Sequence, residues 1–370
     1  MVKNFNNYYA AFVYWEQCIR SRNQARRIRK NIVRAKGFSQ VDQSLKKEIK
    51  QYCRSVFGSA AYWPWLATYT EIRGEYKEGW IPDDYMSYRA MPIINPRNIT
   101  YISLLKTLDY RLFGDFCVAP LMLIIGKLIY DKNFNIISRE KAEKLLKEHA
   151  DEVVVKEDGG SGGSKVYFVP SHKVDLNKLS GNIRCVIQPL VYQHKSLTEI
   201  YPSAINTLRI HTYMGSDSVV RIIISLLRVG TNGSRVDNVH RGGRFLYLND
   251  EGKPATDAIT GWENMGETKH PDTGYAYKDI KISALKKAKE LCIKAHYQYP
   301  YTGIIAWDIY IDTNNNPRLL EWNAKSLHFG INEAFCGPQL NPHELTSRIG
   351  KGFTPIDMIW DYKQAGADSY

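Results

Sequence analysis

The apolar and polar positions along the chain predict helices in its first part and mainly strands after residue 150. Residues 1–90 have a helical, aromatic-rich pattern that is broken at Pro82, Pro92 and Pro96. Further helices are predicted at Ser138–His149, with Ser138 as N-cap, and at Ser283–Tyr297. Strands are predicted at Glu152–Lys156, Lys165–Val169, Cys185–Tyr192, Thr207–Met214 and Val219–Arg228. Because hairpin-like turns join the strands, we expect an α+β protein with antiparallel sheets.

The clearest alternation lies near the end of the chain. GIIAWDIYID alternates apolar and polar residues, TNNN makes a turn, and PRLLEWN runs back, which predicts a β-hairpin of Ile304–Asp312 and Arg318–Asn323. If the loop is Thr313–Asn316, Asp312 faces Pro317, and counting back from that pair sets the register of the whole hairpin.

This register places three oxygen-bearing side chains on one face. Asp308 lies directly opposite Glu321, and Asn323 shares the face of Glu321 because strand side chains repeat every two residues. Facing carboxylates repel each other, and a divalent cation relieves the repulsion. Two carboxylates and an amide suit Mg²⁺ or Mn²⁺ rather than Zn²⁺. The alternative is an exposed hairpin face with a solvated acidic pair.

The bulk composition excludes several classes of protein. The chain has 370 residues, 44% hydrophobic and 24% charged, which is ordinary for a folded protein. Its most apolar stretch, Val118–Gly126, is too short to span a membrane. The first residues lack the features of a signal peptide, so we expect a cytoplasmic protein. Six scattered cysteines without a CxxC pair predict reduced thiols rather than disulfides or a zinc site.

The formal net charge of +12 is concentrated near the start of the chain. Segment 20–36 has no acidic residue and eight basic ones: Arg20, Arg22, Arg26, Arg27, Arg29, Lys30, Arg34 and Lys36. A basic helix of this kind is suited to RNA, an anionic membrane surface or an acidic polymer. The alternative is a solvated helix face whose apolar residues, Phe12, Trp15, Ile19 and Ile28, turn inward.

A glycine- and serine-rich loop, 159–164, joins two predicted strands. Glycine lets backbone N–H groups converge on an anion, and Lys156 at the end of the first strand would add a cation. The loop is not a Walker motif, because Ser164 precedes Lys165 and Val166 follows it. It is not a dinucleotide fingerprint either, because a strand rather than a helix follows. The loop therefore predicts a hairpin that closes over phosphates, or alternatively a mobile linker.

Two arginines at strand ends are placed to clamp phosphate or carboxylate. Arg209 begins one predicted strand and Arg228 ends the next. The polar loop VDNVHRGG adds Asn238 and His240, together with glycine amides that could stabilise a transferred phosphoryl group. Structural ion pairs and turn residues are the alternative for each of them.

Taken in chain order, these features resemble the ATP-grasp superfamily of carboxylate–amine ligases. They are the Lys-ended strand, the glycine hairpin, VIQPLVYQH, the arginine of NTLRI, Arg228, DNxxxGG and D…ExN. The similarity is greatest to the sugar-transfer-associated branch, which is found with surface-polysaccharide genes, through IPDD, NTLRI, VDNVHRGG and HPDTG. It covers about residues 60 to 340. The resemblance implies two α+β lobes whose antiparallel sheets grip ATP, preceded by a helical N-terminal region.

The resemblance also implies a role for each site residue. Asp308, Glu321 and Asn323 are the expected Mg²⁺ ligands, and Arg209, Arg228 and Asn238 are expected around the γ-phosphate and the acyl phosphate. The other expected ATP-binding residues are Lys156 (α/β-phosphates), Gly160, Ser161, Gly162 and Gly163 (the lid), and Gln188, Leu190 and Val191 (the adenine hinge). The chain departs from the family pattern at LDYR, where Arg111 is expected in place of a lysine. Glu199 is the candidate ribose-binding acid.

The implied organisation has a basic helical region at 1–90, an N-terminal lobe at 91–150, a small ATP-grasp lobe at 151–205 and a large lobe at 206–370. The implied reaction is ATP- and Mg²⁺-dependent amide formation through an acyl phosphate, with a uronic acid or amino acid of a surface glycan as substrate. Three alternatives stay open. They are a kinase that stops at the phosphorylated product, a non-enzymatic binder of RNA or polyanion, and a scaffold that binds nucleotide without turnover.

Overall fold

The computed structural model describes residues 2–149, 152–160, 164–181, 183–235, 242–263, 265–325, 327 and 329–350. Helices and antiparallel sheets make up these residues, so the predicted α+β class is confirmed. No helix in these ranges combines the length and the apolar character that crossing a bilayer requires. All six cysteines are free thiols.

Helices dominate the N-terminal part, as predicted: α1 Val2–Lys36, α2 Gln43–Phe57, α3 Trp63–Arg73, α4 Asp83–Tyr85, α5 Met91–Ile94, α6 Arg97–Thr100 and α7 Asp109–Phe113. Local signals set their ends. Asp42 caps the start of α2, and Gly58 ends it in the left-handed conformation with φ 77°. Pro82 and Pro96 lie directly before α4 and α6, whereas Pro92 lies in the first turn of α5, where proline is tolerated.

A five-stranded antiparallel sheet lies in the middle of the chain, with strand order β2-β1-β5-β3-β4. Its strands are β1 Met122–Ile125, β2 Leu128–Tyr130, β3 Glu152–Glu157, β4 Val166–Pro170 and β5 Arg184–Pro189. Helix α8 (Arg139–Glu148), capped by Ser138 as predicted, packs Ala142 and Leu146 into the core of this sheet. Because β1 and β2 precede residue 150, the sheet crosses the predicted boundary between 91–150 and 151–205.

A seven-stranded antiparallel sheet follows, with strand order β10-β9-β8-β7-β6-β11-β12. Its strands are β6 Thr207–Met214, β7 Val220–Val229, β8 Arg244–Tyr247, β9 Ala258–Ile259, β10 Met265–Glu267, β11 Ile304–Ile311 and β12 Pro317–Asn323. The remaining helices are α9 Leu176–Leu179, α10 Lys195–Thr198, α11 Leu285–Gln298, α12 Phe329–Cys336 and α13 Pro342–Ile349. The five strands predicted after residue 150 and the predicted helix that became α11 are confirmed, with small differences at their ends.

The two faces of the seven-stranded sheet pack against different helices. Trp307 and Ile309 belong to a core that includes α11. Ile304 and Ala306, on the opposite face, belong to a core that includes α2 and α3. Because side chains alternate along a strand, Asp308 lies on the same face as Ile304 and Ala306. Unlike them, it lines a cleft and does not belong to a hydrophobic core. The N-terminal helices therefore cover one part of this face, and the cleft occupies the other.

The hairpin of β11 and β12 contains a bulge that the sequence pattern does not reveal. Asp308 pairs with Glu321, as predicted. At the turn, Pro317 lies opposite Ile311 and not opposite the following residue, so the predicted turn register is wrong by one position. Leu320 is the extra residue on β12 that restores the pairing. Such bulges are common next to active sites, where they re-aim side chains.

The motif IPDD ties the N-terminal helices to the rest of the protein. Ile81 N donates a hydrogen bond to the Glu333 carboxylate on α12 at 2.9 Å. The Asp83 carboxylate accepts one from the first turn of α12 at 3.0 Å. The buried Asp84 carboxylate lies 2.6 Å from Arg22 Nε on α1. The motif therefore serves as an anchor between helices that are distant in sequence.

Glu333 predicts a pH dependence of stability. Burial raises the pKa of its carboxyl to about 8, although hydrogen bonds from Ile81 N and Gln339 N act in the opposite direction. The folded state therefore keeps a proton that the unfolded state loses near the ordinary pKa of 4.5. Relative to Glu333→Gln, we expect the wild-type free energy of unfolding to fall as the pH rises through this window. Denaturant titrations of both proteins check this, and a difference that stays constant or grows contradicts it.

Candidate active site

A cleft with a volume of about 370 Å³ lies between the two sheets, and residues of both sheets line it. This size is typical of a small-molecule site. The structure brings nine of the sequence-predicted residues together in its wall: Lys156, Gln188, Leu190, Val191, Arg209, Arg228, Asp308, Glu321 and Asn323.

One part of the wall is apolar and follows the end of β5. Val154, Leu190 and Val191 line it. The Gln188 amide donates a hydrogen bond to Val118 O at 3.1 Å, which fixes the end of β5 against the segment that leads into β1. Apolar walls with a few fixed polar groups suit a planar ring system. The predicted adenine hinge therefore lies in the apolar part of the cleft.

Asp308 holds two arginines on the floor of the cleft. Arg209 binds it through two nitrogens, and its Nη2 lies 2.8 Å from Oδ2. Arg228 Nη1 lies 3.2 Å from the same oxygen. Burial acts to raise the pKa of Asp308, but the positive charges of Arg209 and Arg228 outweigh it and the pKa is lowered. Asp308 is thus ionised at neutral pH, and both arginines pair with it.

Glu321, directly opposite Asp308, is paired with a buried lysine. Lys106 Nζ lies 2.9 Å from Glu321 Oε1. Burial lowers the pKa of Lys106, but Glu321 and Asp109 more than offset this, so the pKa is raised. Each of the two facing carboxylates therefore has its own cationic partner, which relieves the repulsion predicted from the sequence.

Lys156 occupies the space beside this pair. Its Nζ donates a hydrogen bond at 3.3 Å to the carbonyl oxygen of Leu320, the bulge residue on β12. Burial lowers the pKa of Lys156, and the negative charge of Glu321 offsets only part of that effect. Within the part of the chain that the structure describes, Lys156 is thus positioned by this backbone hydrogen bond and forms no salt bridge. Its ammonium group can accept a negatively charged ligand.

The structure places Arg111 away from the cleft. The Arg111 side chain is exposed, stacks over the Phe134 ring at 4.9 Å and does not line the cleft. Lys106, which the sequence analysis missed, lies in the site instead and is only 6% exposed. The available signal was a single lysine inside the apolar run LLKTL, because a lysine is rarely buried without a partner.

The base of the glycine loop lies next to Lys106. The Asp158 carboxylate accepts a hydrogen bond from Thr107 N at 3.0 Å, so the loop is tied to the residue that follows Lys106. A Cβ atom on Gly160 would lie 2.8 Å from Lys165 Cβ, which leaves no room for a side chain there. The predicted lid therefore starts from a fixed, sterically restricted base.

The other predicted site residues are not part of the cleft as described. Ser161, Gly162, Gly163 and Asn238 lie outside the residues that the structure describes. Glu199 is exposed and does not line the cleft, although the preceding residue of α10 does. The prediction that Glu199 binds ribose is therefore not matched by its position.

The motif HPDTG supports the loop that follows Arg228. His270 Nε2 lies 2.8 Å from Gly230 O, and its ring is buried. The Asp272 carboxylate accepts a hydrogen bond from Asn232 N at 2.6 Å. These contacts fix the backbone just beyond β7. The motif is thus a support for Arg228 and does not itself line the cleft.

Comparison with known protein families shows which family this chain belongs to. The sequence model of the sugar-transfer associated ATP-grasp family matches residues 118–343. The chain belongs to this family. The predicted resemblance is therefore confirmed, and the two-sheet architecture is an ATP-grasp fold with an added helical N-terminal region. No curated protein matches the chain.

Solved ATP-grasp structures are similar at low sequence identity. The ATP-grasp ligase PsnB in complex with a minimal precursor is 14% identical, with a TM-score of 0.39 over 70% of this chain and 63% of that chain. Biotin carboxylase from Campylobacter jejuni, in an ATP complex, is 13% identical, with a TM-score of 0.41 over 72% and 48%. N5-carboxyaminoimidazole synthetase from Staphylococcus aureus, in complex with ADP, is 15% identical, with a TM-score of 0.35 over 66% and 48%. The chain covers less than two thirds of the length of each.

The cleft of this ATP-grasp protein has a donor set that fits Mg²⁺. Asp308 and Glu321 face each other on adjacent strands, and Asn323 lies two residues further on the same cleft wall. Among the described residues, no three His, Cys, Asp or Glu side chains group together to hold a metal; the set predicted from the sequence has two carboxylates, and its third member is the Asn323 amide. Carboxylate and amide oxygens are hard ligands, which Mg²⁺ prefers.

Proposed function

We propose that this protein is an ATP- and Mg²⁺-dependent carboxylate–amine ligase that forms an amide through an acyl phosphate. The observation that carries the proposal is the charge pattern of the cleft. Asp308, Glu321 and Asn323 lie side by side on β11 and β12, and Lys106 and Lys156 adjoin Glu321. The oxygen atoms can bind a metal ion, and the two neighbouring ammonium groups can bind phosphate oxygens. A complex of Mg²⁺ with a triphosphate needs both kinds of group.

The cleft also orients the nucleotide. The apolar wall near Leu190 and Val191 would receive the adenine, and the charged floor would receive the phosphates. Lys156 is anchored to the Leu320 carbonyl and would contact the α/β-phosphates. Gly160, at the base of the loop, packs closely against Lys165, which fixes the start of the segment that would close over the phosphates.

Arg209 and Arg228 would hold the carboxylate substrate in line with the transferred phosphoryl group. Both side chains are anchored by Asp308 and line the cleft, and guanidinium groups in such a position suit a carboxylate or phosphate ligand. Bound Mg²⁺ would supply charge neutralisation at the phosphate oxygens. The amine would then attack the acyl phosphate, and phosphate would leave with both electrons of the broken C–O bond. Positioning and electrostatics carry such a reaction without a protein nucleophile.

A second cavity of about 330 Å³ adjoins the end of β12 and would hold the substrate that meets the phosphates. Asn323 lines the first cleft, and the next residue, Ala324, lines the second cavity. The cavity wall contains both Asp83 and Arg97. Burial lowers the pKa of Arg97 to about 10, so it stays cationic at neutral pH. Groups of both signs suit an amino acid or an amino sugar acid.

The family description, which associates the family with sugar transfer, supports a carboxylate or amine that belongs to a sugar. Our candidate is a uronic acid of a surface polysaccharide. The test is a screen for ADP release with ATP, Mg²⁺ and a panel of amino acids and uronic acids, each with and without an amine. We expect ADP release that needs both partners, equal amounts of free phosphate, and a product whose mass is the sum of the partners minus water.

The same screen separates the alternatives. ADP release with a single partner, no free phosphate and a phosphorylated product would identify a kinase. Calorimetric titration with a non-hydrolysable ATP analogue and Mg²⁺ provides the independent check. Absence of nucleotide binding there would overturn the proposal.

A further inference from the structure

The outer face of α1 exposes large aromatic side chains. Tyr8 is 78% exposed, Phe12 58% and Trp15 60%. The rings of Phe12 and Trp15 lie 6.3 Å apart, so they form a continuous apolar patch. The sequence analysis offered an inward orientation for Phe12 and Trp15 as an alternative, and the structure contradicts it. Ile28, named with them, is buried as that alternative expected.

These aromatics lie opposite the face that α1 packs on the protein. The buried residues Val13, Ile28 and Ile32 define the inner face. At 3.6 residues per turn, positions 8, 12 and 15 fall on the other side of the helix. Helix α1 thus has apolar side chains on two opposite faces. The rest of the protein covers the inner face, and the outer aromatic face is exposed.

The second half of the same outer face is cationic. Positions 26, 30 and 34 continue the spacing of 8, 12 and 15 along the helix. Arg26, Arg27, Lys30 and Arg34 are all exposed, and within the described residues no carboxylate pairs with them. The fold uses two other cations of the segment internally, Arg22 with Asp84 and Arg29 with Glu71.

We propose that this outer face of α1 docks on an anionic membrane surface. A helix that lies in the bilayer interface combines Trp, Tyr and Phe on the lipid side with arginine and lysine for anionic headgroups. Helix α1 has both on one face, and its 35 residues extend over roughly 50 Å. Docking would hold the ligase beside lipid-linked or surface-directed acceptors, but the membrane contact does not depend on that activity.

Two other occupants fit the face less well. A second copy of the chain would bring like charges of two basic faces together, which repel. Single-stranded RNA is bound by aromatics that stack bases alongside cations that follow the phosphates. On α1 the aromatic patch and the cationic patch are separate halves of the helix, which suits insertion at one end and headgroup contact at the other.

The test is co-sedimentation of the full chain with phosphatidylcholine vesicles that contain or lack phosphatidylglycerol. We expect binding only to the anionic vesicles and at least tenfold weaker binding for the double variant Phe12→Ala/Trp15→Ala. The triple variant Arg26→Gln/Lys30→Gln/Arg34→Gln should lose binding to a similar degree, and higher salt should weaken the wild type. ATP binding should stay unchanged in both variants, because none of these residues lines the cleft.

Matched controls remove one exposed aromatic or two exposed cations elsewhere. Tyr301→Ala replaces a 63% exposed aromatic outside α1, and Lys286→Gln/Lys287→Gln removes two exposed lysines of α11. Both controls should bind like the wild type. The proposal is overturned if the α1 variants keep full vesicle binding. It is equally overturned if the wild type binds single-stranded RNA but not vesicles, or if Phe12→Ala/Trp15→Ala only dissociates a dimer.

Discussion

Glu321→Gln is expected to lose Mg²⁺-dependent ATP turnover by at least about 100-fold, the scale of removing one electrostatic group at a reacting centre. Glutamine keeps the size of the side chain and one oxygen, but it removes the negative charge. Among the two facing carboxylates, Glu321 is the better one to test. Asp308 is buried with two arginines, and its loss would remove a buried ion-pair partner from each of them, at a cost of about 3–5 kcal/mol in stability.

Glu321 is partly hydrated, with 28% of its side chain exposed. The Glu321→Gln variant should therefore lose less stability than a change at Asp308. Its free energy of unfolding should still fall, because the buried Lys106 loses its ion-pair partner, and denaturant unfolding can check this. The measurements of function are ADP release and the Mg²⁺ concentration at half-maximal rate, and both should change. Glu290→Gln, an exposed carboxylate on α11, is the control and should behave like the wild type. Wild-type turnover in Glu321→Gln at low Mg²⁺ would disprove the metal assignment.

Lys106→Met is the second change with a large expected effect. We expect a loss of about 100-fold in kcat/KM for ATP, because the ammonium group beside Glu321 disappears where phosphate charge would lie. Methionine retains an apolar chain of similar length in this buried position, so the free energy of unfolding should fall by no more than about 2 kcal/mol. Initial rates at varied ATP, together with denaturant unfolding, measure both quantities.

The matched control is Arg111→Met, because the sequence alone predicts Arg111 in that role. Arg111 is exposed and stacks on Phe134, so its replacement should leave ATP kinetics unchanged. The opposite ranking, with Arg111→Met impaired and Lys106→Met active, would show that the position of Arg111 in the structure is not the functional one. An equal loss of kcat/KM for ATP in Lys106→Met and Arg111→Met would contradict the assignment of a specific nucleotide-binding role to Lys106.

Local sequence patterns were sufficient to predict most of the secondary structure and the wall of the site that the β11–β12 hairpin forms. The period-two alternation of β11 and the turn that follows it predict a hairpin, and the pairing of Asp308 with Glu321 is confirmed. These features depend on neighbours within about twenty residues, so a single sequence contains the information. Confirmed strands such as Thr207–Met214 have the same origin.

The bulge at Leu320 shows where local counting stops being reliable. The turn register was wrong by one residue, and the bulge compensated for that error. Nothing in PRLLEWN signals the extra residue. The extra residue meets a side chain from the other sheet, because Lys156 donates a hydrogen bond to the Leu320 carbonyl.

The sequence by itself determined the fold class, the hairpin, the facing carboxylates and the order of motifs that identifies an ATP-grasp protein. Only the tertiary structure decided which cations meet those carboxylates, because Lys106, Arg209 and Arg228 reach the hairpin from distant parts of the chain. It also decided that Phe12 and Trp15 face outward on α1, since helical spacing marks a stripe but does not tell which stripe a neighbour covers. Which side chains pair or pack together depends on contacts between distant parts of the chain, and those contacts also decide which residues are buried.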